Sequence, residues 1–336
     1  MSHEAKEAEK LLGSYRQNVV RFLGGLVLSI LLLFMLFSHI NSEEFLQSWK
    51  RVSLVGAVLA ILVHGLSLVL RIWRWKGLLD VSDCGLPSGA SRSLIWDAAF
   101  FGWLMNLVVP ARAGELARPF VYSRGSGRPF PRILGTSLVE RAADLASVAL
   151  LGVLALTVLP GVERLPMWMP RAVGIGSALA LGALLVGLLL AKRAEELDSA
   201  APPWLRALSS LREGMNSLRQ PVAALKLAYQ SLGIWLLEAL SVWLVLVTSG
   251  QPAPINLAFV HTIAVTMSVS VVTLPFGLGV EQGTTVGLLS FWDISGPDAL
   301  ALSLVLTFSA LVWVVPGGLW AWWRQSSRRA RPPQAS

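Results

Sequence analysis

Nine charged side chains sit inside long apolar stretches of this 336-residue chain: Asp97, Arg112, Glu115, Arg118, Glu140, Arg141, Asp144, Glu238 and Glu281. Six of them fall in two neighbouring segments, Arg112-Ala-Gly-Glu-Leu-Ala-Arg118 and Glu140-Arg-Ala-Ala-Asp144. On a helix Glu140 and Asp144 share a face, and Arg141 stands within pairing reach of Asp144. Two carboxylates on one face repel unless a cation lies between them or one holds a proton. Arg112 and Arg118 are the expected cations. An arginine fork matches phosphate oxygens, so such a cluster can hold an anionic headgroup while a carboxylate exchanges a proton. A buried ion-pair network that fixes one helix against its neighbour is the alternative, and both readings stand at this point. Glu281, beside Gln282, Thr284 and Thr285, is the sole charge in its stretch and suits proton coupling. Asn106, one turn before Pro110, is expected to cap a broken backbone or to touch ligand. His64, Glu238 and His261 are isolated polar residues that read as helix-packing hydrogen bonds, and Asp97 as shallow and solvated.

The elements that position these residues follow from composition. Hydrophobic residues make up 54% of the chain and charged residues 14%, with a mean hydropathy of +0.62, against about 25% charged in soluble domains. A helix needs roughly 20 apolar residues to cross a bilayer core, and the sequence repeats such stretches between short polar loops. The fold class is therefore an all-α polytopic membrane protein. Apolar segments run over 22–37, 52–70, 94–110, 133–159, 172–191, 229–249, 257–275, 277–291 and 299–323. The polar segment 1–21 ahead of the first has no following cleavage signal. Cytoplasmic loops carry the excess of Lys and Arg. Placing 1–21, 71–92, 124–132, 192–226 and 324–336 inside puts 21 of the 28 basic residues there, with both termini cytoplasmic.

This orientation has a consequence for 94–122, whose flanking loops are both basic: it must enter, break and return. Pro110 and Gly114 supply the break, one removing a helix donor and the other tolerating non-helical dihedrals. Segment 257–291 breaks in the same way at Pro275, Gly277 and Gly279, between loops without Lys or Arg, and is expected to enter from outside. Both hairpins carry glycine four residues after proline with a glutamate just beyond, in Val108-Val-Pro-Ala-Arg-Ala-Gly-Glu115 and Val272-Thr-Leu-Pro-Phe-Gly-Leu-Gly-Val-Glu281. About six full spans plus two oppositely oriented re-entrant helical hairpins make a candidate inverted-topology repeat, the arrangement in which broken helices meet around a substrate. The expected organisation is one transmembrane domain over 1–336. It comprises an N-terminal span (1–51), repeat A (52–159, hairpin 94–122), a connecting span and cytoplasmic amphipathic helix (172–226), repeat B (229–323, hairpin 257–291) and a basic tail (324–336). The amphipathic helix reads from Trp204, Leu208, Leu211, Met215 and Leu218.

Several chemistries are excluded. One cysteine, Cys84, and four scattered histidines offer no metal site. No nucleophile elbow, Walker loop or dinucleotide fingerprint occurs, so no cofactor and no catalytic residue is expected. The net charge of +8 lies in the inside loops, where it suits anionic lipid rather than nucleic acid. Cys84 falls in an expected cytoplasmic loop, as a native labelling reporter.

Three motifs, Asn106-Leu-Val-Val-Pro-Ala-Arg-Ala-Gly-Glu-Leu-Ala-Arg-Pro119, Ser137-Leu-Val-Glu-Arg-Ala-Ala-Asp-Leu145 and Pro275-Phe-Gly-Leu-Gly-Val-Glu281, resemble the lysylphosphatidylglycerol synthase transmembrane family of flippase-like proteins. The resemblance covers nearly the whole chain. It implies that Arg112, Glu115, Arg118, Glu140, Arg141, Asp144 and Glu281 line a lipid headgroup path. It also implies a lipid flippase of the bacterial inner membrane that moves an anionic phospholipid or a polyprenyl-phosphate-linked glycan. No soluble aminoacyl-transferase domain follows the last span, so lysyl-lipid synthesis is not expected, and a lipid-modifying enzyme or glycosyltransferase is a compatible partner. The rival expectations are an intramembrane lipid-phosphate transferase and a non-transporting member of a lipid-modifying complex.

Overall fold

The computed structural model describes residues 23–88, 91–109, 112–157, 162–168, 213–215, 220–272 and 274–329, with isolated residues between 170 and 182. Among these residues every regular element is helical. The expected span at 172–191, most of the amphipathic helix and Pro110 lie outside the described residues.

Helices α1 (Leu23–Ser38) and α2 (Ser42–Arg51) meet at 95°. Asn41 sets the corner by accepting the amide of Glu43 at 2.8 Å, and acids in the first turn with Lys50 and Arg51 in the last suit the helix dipole. Among the described residues three further helices are long and apolar enough to cross a membrane: α3 (Leu54–Val81), α7 (Pro221–Thr248) and α10 over Gly296–Ser327 of its full extent, Gly296–Arg329. At 28 residues, α3 and α7 each run about 42 Å. Their outward faces are apolar at one-turn spacing, as in Leu54, Val58, Leu62 and Leu66 of α3. Such a stripe is a liability in water and ordinary in lipid. Among the described residues, length and composition thus support three spans, or four with α1 and α2 as one bent span. Helix α6 (Phe130–Thr157) matches α3 in length but is interrupted by Glu140, Arg141 and Asp144.

Two helix–break–helix pairs complete the chain. In the first, α4 (Leu94–Val108) packs on α5 (Gly114–Ser126). Gly102 and Gly114 are the contact point, where a Cβ on Gly114 would overlap the Gly102 carbonyl and Asn106. In the second, α8 (Ile255–Val271) and α9 (Val280–Leu289) flank the 3-10 turn Pro275–Gly277. Gly277 and Gly279 there adopt φ of 64° and 84°, a region side chains with a Cβ rarely enter. Gln282 closes the turn by accepting the Gly279 amide at 2.8 Å. Helix α4 packs against this turn.

Two apolar clusters correspond to the two pairs. One gathers Ile72, Trp75, Leu79, Leu94, Ile95, Tyr122 and Ile133 around α4 and α5. The other gathers Val245, Leu246, Leu257, Leu288, Trp292 and Leu302 around α7 to α10.

Four expectations change. The region 71–92 is not all loop: α3 continues to Val81 because Ile72, Trp75, Leu78 and Leu79 extend its apolar spacing, and this buries Arg74 and half-buries Arg71. Helix α7 begins at Pro221 rather than at Tyr229. Asp97 is buried, with Arg324 Nη1 at 3.4 Å and the Ser93 hydroxyl donating at 3.2 Å. Cys84 is fully buried in the first cluster, under the Tyr122 hydroxyl that donates to its carbonyl at 2.9 Å, and burial pushes its thiol pKa up. A buried, protonated thiol is a poor label acceptor.

Candidate functional site

The charges on α3, α5, α6 and α7 form one connected track. At its centre Arg74, 1% exposed, donates from Nη1 to Asp144 Oδ1 at 2.7 Å and to Ser231 Oγ at 2.8 Å, and from Nε to Glu140 Oε1 at 3.3 Å. The cation between Glu140 and Asp144 is therefore Arg74 from α3, not Arg112. Arg118 pairs with the other oxygen of Glu140, donates to Ser137 Oγ at 3.2 Å and lies 4.3 Å over the Trp75 ring. Trp75 in turn donates to Thr136 at 3.1 Å. Arg141 joins Asp144 (3.3 Å) to Glu115 (3.5 Å).

The track continues through Arg71, one turn from Arg74. Arg71 lies 4.0 Å from Asp144 and 3.2 Å from Glu238, and 5.5 Å over the Trp235 ring. Glu238 also accepts from Ser67 at 2.8 Å and meets His64 Nδ1 at 3.2 Å. Four arginines thus face four carboxylates, and every one has an opposite charge in reach. Asn106 makes no cap; its Oδ1 is buried without a partner beside Gly114.

Arg112 and Glu281 stand apart from this closed set. Arg112 holds the left-handed φ of 54° at the turn between α4 and α5, a strained choice for a residue with a long side chain. Glu281 is in the first turn of α9. Among the described residues neither has an ion-pair partner, yet both line one cavity of about 320 Å³ with His64, Arg71, Glu238 and His261. Thr262, Thr266, Thr307 and Ser309 add hydroxyls to its wall. Its size is at the lower end of small-ligand pockets. Within hydrogen-bonding reach of His261 Nε2 is the Thr285 hydroxyl at 2.9 Å.

Of the residues expected at the site, the cavity unites Arg112 and Glu281. Glu115, Arg118, Glu140, Arg141 and Asp144 belong to the ion track behind it. Arg71 and Arg74 were hidden from sequence reasoning because two arginines after an apolar run resemble a cytoplasmic loop. The signal against that is the unbroken apolar spacing beyond them.

Apolar outer faces, spanning helices and a charged interior cavity define a polytopic helical membrane protein. The sequence model for the lysylphosphatidylglycerol synthase TM region matches residues 22–318, and the chain belongs to that family. It is 24% identical over 326 residues to a protein named Glycosyltransferase AglD of Haloferax volcanii, covering 85% of this chain and 51% of that one. It is 21% identical over 289 residues to a UPF0104 membrane protein of Methanothermobacter thermautotrophicus, covering 78% and 81%. The chain thus spans about half the length of the Haloferax relative.

Proposed function

We propose that this protein is a transporter that moves a lipid with an anionic, phosphate-bearing headgroup across the bacterial inner membrane. The observation that carries the proposal is that Arg112 and Glu281 line one cavity, each without an ion-pair partner among the described residues, while the eight charges of the neighbouring track match one another. Arg112 would take the phosphate through its planar fork. The headgroup would occupy the cavity while its tails remain in lipid. The two helix–break–helix pairs would act as re-entrant hairpins of an inverted repeat, with broken helices meeting at the substrate; both termini would be cytoplasmic. Glu281 would be the residue that couples movement to protons. The Haloferax relative is named a glycosyltransferase, which supports a sugar-bearing lipid as a candidate cargo beside an anionic phospholipid, and a glycosyltransferase as a candidate partner. The cavity volume suits one small headgroup rather than a long glycan.

The test is transbilayer movement in proteoliposomes, with labelled anionic phospholipids and polyprenyl-phosphate lipids in separate arms. Movement lost in folded Arg112→Ala protein supports the proposal. Undiminished movement in Arg112→Ala overturns the role of this cavity. Mass change of the lipid without movement would replace the transporter with an intramembrane transferase.

A further inference from the structure

A second cavity, of about 200 Å³, lies at the opposite end of the arginine pair. Arg74 lines it, as Arg71 lines the larger one. Among the described residues no acid contributes to its wall, which combines the polar Gln220, Lys226 and Gln230 with Gly77 and the apolar Leu78, Val81, Val222, Ala223 and Leu227.

The wall presents donors. Gln220, the N-cap of α7, makes no capping hydrogen bond, and Pro221 follows it. The first-turn amides of Val222 and Ala223 have no acceptor within the helix, and the helix dipole makes this end positive. Lys226 adds a full charge. Gln230 is only 8% exposed, lines the cavity and has no hydrogen-bond partner among the described residues. Its amide opens onto the cavity rather than into packed protein, so it can donate to an acceptor held there. A Cβ built on Gly77 meets nothing within 4 Å, so that side of the cavity has room for an occupant.

The surroundings identify the source of the acceptor. Val222 lines the cavity yet is 79% exposed, and Leu225 and Tyr229 continue the same apolar outer surface. The cavity therefore adjoins the surface where acyl chains lie. We propose that it binds the phosphate of an anionic phospholipid, at a site distinct from the central cavity. Its place as a first station on the headgroup path rests on the transporter reading, whereas the binding itself does not.

The test uses the full-length protein in nanodiscs carrying photoactivatable phosphatidylglycerol, with adducts mapped by peptide mass spectrometry. Adducts are expected within residues 220–230. A photoactivatable diacylglycerol, which lacks the phosphate, is expected to give none there. Lys226→Gln, at an exposed position, should weaken the signal about five-fold, the loss for one Lys near an anionic surface. Gly77→Leu should abolish it by filling the space, and Gly77→Ala should leave it within about two-fold, since a methyl group there touches nothing. Arg112→Ala should leave it intact. Equal adducts in wild type, Lys226→Gln and Gly77→Leu would overturn the proposal, as would full displacement by inorganic phosphate at matched concentration, which would assign the site to the free ion. Adducts retained in a protein that moves no lipid would overturn the transporter reading alone.

Discussion

Removing Arg74 separates the charges that hold the fold from those available to a ligand. Arg74 and Glu140 are 1% and 0% exposed, and Asp144 is 5% exposed. Arg74→Met keeps much of the side-chain volume but leaves Glu140 with Arg118 alone, and Asp144 with Arg141 at 3.3 Å and a distant Arg71 at 4.0 Å. Breaking a buried pair by deleting one partner costs about 3–5 kcal/mol, since the remaining charge stays desolvated. Combining Arg74→Met with Asp144→Leu removes one charge of each sign, so the double variant should regain about 1–3 kcal/mol over the sum of the singles. The assay is reversible unfolding in mixed micelles, followed by the fluorescence of the 14 tryptophans. Arg74→Met as stable as wild type, or a double variant additive within about 0.5 kcal/mol, would refute the claim that this track is a structural unit.

Arg112→Ala and Glu281→Gln are expected to unfold within about 1 kcal/mol of wild type while losing lipid movement in proteoliposomes; a stability loss as large as that of Arg74→Met would move them into the structural track. Cys84 should resist maleimide from either side of intact membranes and react only after denaturation, as measured by mass shift. Because burial raises its pKa above the ordinary 9.0, the unfolded chain releases the thiol proton first, so Cys84's contribution to stability falls as pH rises through 9; a flat stability profile there in wild type relative to Cys84→Ala would contradict this. Gly114→Val should destabilise the protein by about 1–3 kcal/mol through overpacking against Gly102 and Asn106, read in the same unfolding assay.

The membrane class was legible because hydropathy is a property of composition, and the breaks at Gly114 and Pro275–Gly279 were legible because glycine and proline act locally. The clustering of Glu115, Arg118, Glu140, Arg141 and Asp144 was equally visible. Its partition was not. Arg74 lies 66 residues before Glu140, and only the packing of α3 on α6 and α7 brings Arg74 between the two carboxylates. Glu238 looked like an isolated packing residue because its partners, His64, Ser67 and Arg71, are all on α3. Arg112 and Glu281 line one cavity, and the hydroxyls of its wall, on α8 and α10, are a tertiary property that no local spacing shows.

The even match of Arg71, Arg74, Arg118 and Arg141 with Glu115, Glu140, Asp144 and Glu238 has an electrical meaning. With His64 neutral, this assembly carries no net charge. A membrane potential acts on displaced charge with about 2.3 kcal/mol per elementary charge per 100 mV, so the assembly can shift as a body without gaining or losing energy from the field. Within the cavity and the track, voltage sensitivity would then report on Arg112, on Glu281 and on whatever charge the cargo brings with it.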